Sequence, residues 1–114
     1  MTCLITTHIL DISTGSPASG VQVKLYRADS VEREELGSGV TDSDGRIASG
    51  LIADDQWKPG RYQLEFATGQ YFQELGVSSL YPVVTIVFEV SAGQDHYHIP
   101  LLLSPFGYST YRGS

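Results

Sequence analysis

Apolar and polar residues alternate along most of this chain with the period of a β-strand. Around the first such run, Leu4 to Asp11, the residues Cys3, Ile5, Thr7 and Ile9 fall on one side. Leu4, Thr6, His8 and Leu10 fall on the other. The isoleucines mark the first side as core, so His8 points the other way. A cluster of turn formers, Ser13 to Gly20, precedes Val21 to Arg27, where Val21, Val23 and Leu25 face in and Gln22 and Lys24 face out. Val31 to Val40 is a more polar strand suited to a sheet edge. Gly60 to Ala67 alternates again, with Tyr62, Leu64 and Phe66 inward. In Gly69 to Gly76 the spacing of Tyr71, Phe72 and Leu75 changes to that of a helix, and Gly76 suits its C-terminal cap. Pro82 to Val90 is the run richest in β-branched residues.

The stretch from His96 onward extends the pattern. Tyr97, Ile99, Leu101 and Leu103 form a core side; His96, His98, Pro100 and Leu102 form the other. Ser104-Pro105-Phe106-Gly107 turns the chain, and Tyr108 to Arg112 returns as a last strand. If Tyr108 packs inward, Ser109 and Tyr111 share a side with the histidines. Seven to eight strands at regular spacing, with one short helix, predict an all-β two-sheet sandwich. The length of 114 residues suits a single domain over 1–114.

Composition narrows the function classes. A net charge of -6 disfavours binding to phosphate backbones, so no nucleic-acid partner is expected. The single cysteine, Cys3, allows no internal disulfide and no cysteine-based metal site. The longest apolar run, Val83 to Val90, is interrupted by Thr85 and Glu89, so no membrane span is expected. No signal peptide or peroxisomal signal is visible, and a cytoplasmic location is the expectation.

The acids of Thr41-Asp42-Ser43-Asp44-Gly45-Arg46 lack the further ligands and distal Glu of a calcium loop and read as a tight turn. That turn fixes where the Arg46 side chain starts. The sheet face opposite the core thus carries His8, His98, Ser109 and Tyr111, with Arg46 nearby. Taken singly, each has a plain structural explanation. A strand histidine is most often a satisfied surface residue, an arginine after a turn a solvated charge, and a tyrosine a packing group. Together they fit three chemistries: hydrolysis with imidazoles moving protons, a metal site on His8, His96 and His98, or a ligand carrier that only orients its cargo. Ser109 has neither an acid partner nor a Gly-x-Ser-x-Gly turn, which argues against a serine-hydrolase triad.

The segments Thr7-His8-Ile9-Leu10-Asp11, Thr41 to Arg46, His96 to Ser104 and Tyr111-Arg112-Gly113-Ser114 resemble the transthyretin-related 5-hydroxyisourate hydrolases of purine degradation. The resemblance spans the whole chain. Transthyretin, the thyroid-hormone carrier, shares the Leu-Leu-Ser-Pro turn but has other residues where His8, Arg46, His98 and Tyr111 stand. The resemblance implies a transthyretin-like homotetramer with a channel lined by the sheet of the first and last two strands. It implies hydrolysis of 5-hydroxyisourate to 2-oxo-4-hydroxy-4-carboxy-5-ureidoimidazoline without metal or other cofactor. It further implies an active-site set of His8, Arg46, His98 and the segment Tyr111-Arg112-Gly113-Ser114, with catalysis by His8, His98 and Arg46 and substrate held by His8, Arg46, Tyr111 and Ser114. His96 is expected at the rim.

Overall fold

The computed structural model describes residues 4–29, 33–47, 49–52 and 56–114. Cys3, Val31, Glu32 and the side chain of Leu4, which the strand pattern also covers, lie outside the described residues. In chain order the elements are β1 (Leu4–Asp11), β2 (Ser16–Pro17), β3 (Gln22–Arg27), β4 (Glu34–Val40), β5 (Gly60–Phe66), α1 (Thr68–Glu74), β6 (Val84–Val90), β7 (His96–Ser104) and β8 (Gly107–Thr110).

They form two four-stranded sheets, ordered β2-β1-β7-β8 and β4-β3-β5-β6. β1 and β7 run parallel, and every other described pair is antiparallel. Ile5, Ile9, Tyr97, Ile99, Leu101 and Leu103 of the first sheet share one core cluster with Val23, Leu25, Tyr62, Leu64 and Phe66 of the second. These are the inward positions expected from the period-two pattern, and their burial is the main attraction between the sheets. Thr7 is the polar residue on the β1 core side. It is buried with its hydroxyl donating to the Ile99 carbonyl at 2.6 Å, so no polar group is stranded there.

β4 is an edge strand, as its polarity suggests. β6 is an edge strand too, despite its apolar composition: Val84 and Val90 are buried, whereas Val87 is exposed. The helix places Phe72 in the core and leaves Leu75 exposed, and Gly76 follows it at φ +70°. The Tyr71 hydroxyl donates to Asp11 Oδ2 at 2.9 Å, while Asp11 Oδ1 accepts from the Ser13 backbone N–H. The helix is thereby tied to the end of β1, and Asp11, 1% exposed, is satisfied.

One expected element is cut short. The last strand ends at Thr110 rather than Arg112. Pro100, in the middle of β7, has no N–H to offer the strand beside it. The ladder therefore breaks opposite Pro100, and the Thr110 hydroxyl donates to the Pro100 carbonyl at 2.7 Å. Pairing resumes beyond the gap in the same register: Leu101 opposes Thr110, and His98 opposes Gly113, whose N–H donates to the His98 carbonyl at 2.8 Å.

Candidate active site

On the outer face of the β2-β1-β7-β8 sheet lies a cavity of about 540 Å³. Its lining includes Thr6, His8, Arg46, His96, His98, Tyr111 and Ser114. Each arrives by a different route. β1 and β7 lie side by side with Thr6 opposite His98 and His8 opposite Pro100, so one sheet face presents Thr6, His8 and both β7 histidines. The unbroken register across the Pro100 gap keeps Tyr111 and Gly113 on that same face.

Arg46 comes from outside the strands of both sheets. The turn after β4 is held by Asp42, whose Oδ1 accepts from the backbone N–H of Asp44 at 2.9 Å and of Arg46 at 3.1 Å. Gly45 in this turn has φ +75°, and a Cβ there would lie 2.5 Å from the Ile9 carbonyl oxygen. Only glycine meets both conditions without strain. Its carbonyl accepts from the Ile9 N–H at 2.9 Å, which places Arg46 in an antiparallel bridge with His8. Among the described residues Arg46 has no carboxylate partner; the ion pairs formed there are those of Arg27, Arg33 and Arg61. Its charge is available to an anion.

His98 is half-buried. Its Nδ1 lies 2.9 Å from the Thr6 hydroxyl, which also lies 3.0 Å from His96 Nε2. Burial first, then the charge of Arg46, then His96 and His8, hold the His98 imidazole below its ordinary pKa of 6.5. His98 is therefore neutral at neutral pH and able to accept a proton. Among the described residues no group of three or more His, Cys, Asp or Glu side chains gathers as a metal-ligand set.

The five residues singled out for catalysis and binding, His8, Arg46, His98, Tyr111 and Ser114, all line the one cavity. His96, expected at the rim, is exposed to solvent, lines the cavity and shares a hydroxyl with His98. Two other expectations need correction. Ser109 keeps the expected side, opposite Leu102, yet lies outside the cavity because the strand carries it too far along the sheet. Arg112, within the Tyr111–Ser114 segment, turns away from the cavity: its guanidinium sits 4.4 Å over the Tyr97 ring and donates to Gln94 Oε1 at 3.2 Å. It anchors the segment, a role consistent with its alternation against Tyr111 and Gly113. Thr6 was not singled out in the sequence, and Gly113 entered only within the Tyr111–Ser114 segment that the resemblance implies. Parity with His8 was the available signal for Thr6. A Cβ on Gly113 would sit 2.4 Å from His98 Cδ2, a close approach that the one-dimensional pattern does not reveal.

A family model described as the HIUase/Transthyretin family matches residues 5–113. A Pseudomonas aeruginosa protein named 5-hydroxyisourate hydrolase is 40% identical over 114 residues, covering 96% of this chain and 90% of its own length. A Mus musculus protein of the same name is 44% identical over 112 residues, covering 96% of this chain and 94% of its own. Among solved structures, Klebsiella pneumoniae 5-hydroxyisourate hydrolase is 43% identical with a TM-score of 0.84, over 97% of this chain and 99% of its own. Sea bream transthyretin in complex with thyroxine is 34% identical with a TM-score of 0.90, over 97% of this chain and 95% of its own. The fold is accordingly transthyretin-like, and the chain belongs to the HIUase/Transthyretin family.

Proposed function

We propose that this chain, as a single domain over residues 1–114, hydrolyses 5-hydroxyisourate to 2-oxo-4-hydroxy-4-carboxy-5-ureidoimidazoline, with water activated by histidine and no cofactor. The observation that carries the proposal is the convergence of three imidazoles, His8 and His98 among them, an arginine without a carboxylate partner among the described residues, and a tyrosine on one cavity. Relatives named 5-hydroxyisourate hydrolase support the substrate.

The reaction opens a cyclic amide-type C–N bond. Water adds to the acyl carbon, its proton goes to a base, and negative charge develops on the carbonyl oxygen. His8 and His98 supply the acid–base chemistry: His98 takes and returns the water proton while His8 hydrogen-bonds the acyl group beside it. The lowered pKa of His98 suits it to take the proton. Arg46 anchors the substrate and stabilises the developing oxyanion. Tyr111 and Ser114 orient the ring by hydrogen bonding. Tetramer assembly walls the cavity from the other side, and the protein works in the cytoplasm. Among the described residues no helix is long and apolar enough to cross a membrane.

The likeness to thyroxine-bound transthyretin supports a second reading, a carrier that binds without turnover. Decay of freshly generated 5-hydroxyisourate, followed spectroscopically with and without the protein, separates the two. The expected result is decay accelerated well beyond the spontaneous rate, insensitive to chelator, and lost in His8→Ala, His98→Ala and Arg46→Ala. A rate equal to the spontaneous one supports the carrier. Loss of activity with chelator would restore the metal alternative.

A further inference from the structure

One hydroxyl, Thr6 Oγ1, lies within hydrogen-bond distance of two imidazoles: 2.9 Å from His98 Nδ1 and 3.0 Å from His96 Nε2. The arrangement follows from the register. Thr6 on β1 opposes His98 on β7, and His96 is two residues earlier on the same face, its ring 6.3 Å from that of His98 and inclined by 29°. His98 is half-buried beside Arg46, whereas His96 is exposed. The three groups form a hydrogen-bonded line from the cavity to solvent.

We propose that the proton His98 takes from the attacking water is held on the His98–Thr6–His96 line, chiefly on His96, until the ring nitrogen leaves. The proposal rests on the reading of His98 as the base that activates water. A hydroxyl has one proton and can accept from one side while donating to the other. At the start the Thr6 hydroxyl donates to His96 Nε2 and accepts from His98 Nδ1–H. His98 Nε2 is then bare and is the nitrogen free to act on substrate. Water adds its oxygen to the acyl carbon and gives its proton to His98 Nε2. The Nδ1 proton of His98 passes to Thr6, and the Thr6 proton passes to His96 Nε2. His98 is neutral again and carries its proton on Nε2. His96 is now the imidazolium.

Collapse of the tetrahedral adduct reverses the line. His98 Nε2–H protonates the departing ring nitrogen as the C–N bond breaks. His96 returns its Nε2 proton through Thr6 to His98 Nδ1. Every group recovers its starting state, and the water proton has been delivered to the leaving nitrogen. The energetic reason for the relay is the position of the charge. An imidazolium at His98 is disfavoured by burial and by Arg46, and the exposed ring of His96 carries the same charge with water around it. Meanwhile Arg46 remains the nearest cation to the oxyanion, with no competing charge forced on His98. The charged and titratable groups facing His98 are Arg46 from the turn after β4, His8 from β1 and His96 from its own strand. Tyr111 faces the same cavity.

Thr6 and His96 are positioning residues here, and they are tested by what a purely structural role would leave unchanged. Thr6→Val preserves shape and removes the hydroxyl; Thr6→Ser keeps the hydroxyl; His96→Gln keeps a hydrogen-bonding side chain that takes up no proton. The readouts are steady-state kinetics on 5-hydroxyisourate and long-range 1H–15N spectra of the histidine rings in substrate-free protein, which report the tautomer. Thr6→Val should lower kcat by about tenfold or more with KM within about twofold, and should shift His98 away from the Nδ1–H tautomer. Thr6→Ser should restore both. His96→Gln should lower kcat comparably, and added imidazole should recover part of the loss. An active wild type whose kcat survives both Thr6→Val and His96→Gln would overturn the relay alone. A wild type with no activity would overturn the hydrolase assignment and the relay together, while the ring spectra still report whether Thr6 sets the tautomer.

Discussion

Burial and the Arg46 guanidinium both act against a charged His98, which ties the pH response of the site to one pair of residues. A base must be neutral to accept a proton. Because the folded pKa lies below 6.5, kcat/KM should hold as pH falls to that value and decline only below it. Arg46→Gln removes one of the groups depressing the pKa, so His98 should then titrate closer to 6.5, as an NMR titration of the free protein would register. No upward movement in the variant would mean that Arg46 does not act on His98. Gly113 controls the same imidazole by shape. Gly113→Ala would push a methyl group into the His98 ring, so kcat should fall at least tenfold while Tm changes little, because the segment is partly exposed. Activity assays alongside thermal denaturation test this. Strand parity put His8, His98 and Tyr111 on one face and the turn put Arg46 near it, whereas Gly113 and Ser114 came in only with the family resemblance. Thr6 was not legible as part of the site, since hydroxyl sharing exists only once two strands are in register.

At the scale of the element, alternation carried most of the information. Tyr62, Leu64 and Phe66 of β5, and Tyr97, Ile99, Leu101 and Leu103 of β7, are all buried on the expected side, because a half-exposed strand cannot shift by one residue without exposing its core set. What alternation could not convey was neighbour identity. β6 has an apolar composition and is nevertheless an edge strand, and Pro100 ends β8 through a missing N–H on the opposing strand. Helix α1 depends on a contact equally invisible in the pattern, the Tyr71–Asp11 hydrogen bond across 60 residues of chain. Burial and the Asp11 carboxylate push the Tyr71 phenol up to about 12, so it remains a donor throughout the ordinary pH range. Tyr71→Phe would leave Asp11 Oδ2 without this donor and should destabilise the protein by about 1–3 kcal/mol. Urea denaturation checks this, and an unchanged midpoint would mean that water replaces the phenol without loss.

For the whole molecule, overall shape does not separate catalyst from carrier: the TM-score to sea bream transthyretin, 0.90, exceeds that to the Klebsiella hydrolase, 0.84. Fold does not decide between the two, so the proposed hydrolysis rests on the side chains of one sheet face. Shape bears instead on assembly. β6 and β8 are edge strands with no further strand beyond them among the described residues, and Val87, Phe106 and Tyr108 are exposed. Open apolar edges of this kind favour pairing with another copy. Sedimentation at micromolar concentration should give a tetramer, and a monomer would remove the proposed second wall of the cavity.

The gap opposite Pro100 divides the descending limb into two parts that can open separately. Gly107–Thr110 is laced to β7 as a strand, while the part beyond is fastened by the Gly113–His98 hydrogen bond and by Arg112 over Tyr97. Deuterium should therefore enter the Gly113 amide well ahead of the Ser109 amide, whose strand must peel from β7 before it is reached. Substrate bound against Tyr111 should slow exchange at Gly113 and leave Ser109 unchanged. The missing proline N–H would then make this wall of the site a flap that lifts without unravelling the sheet.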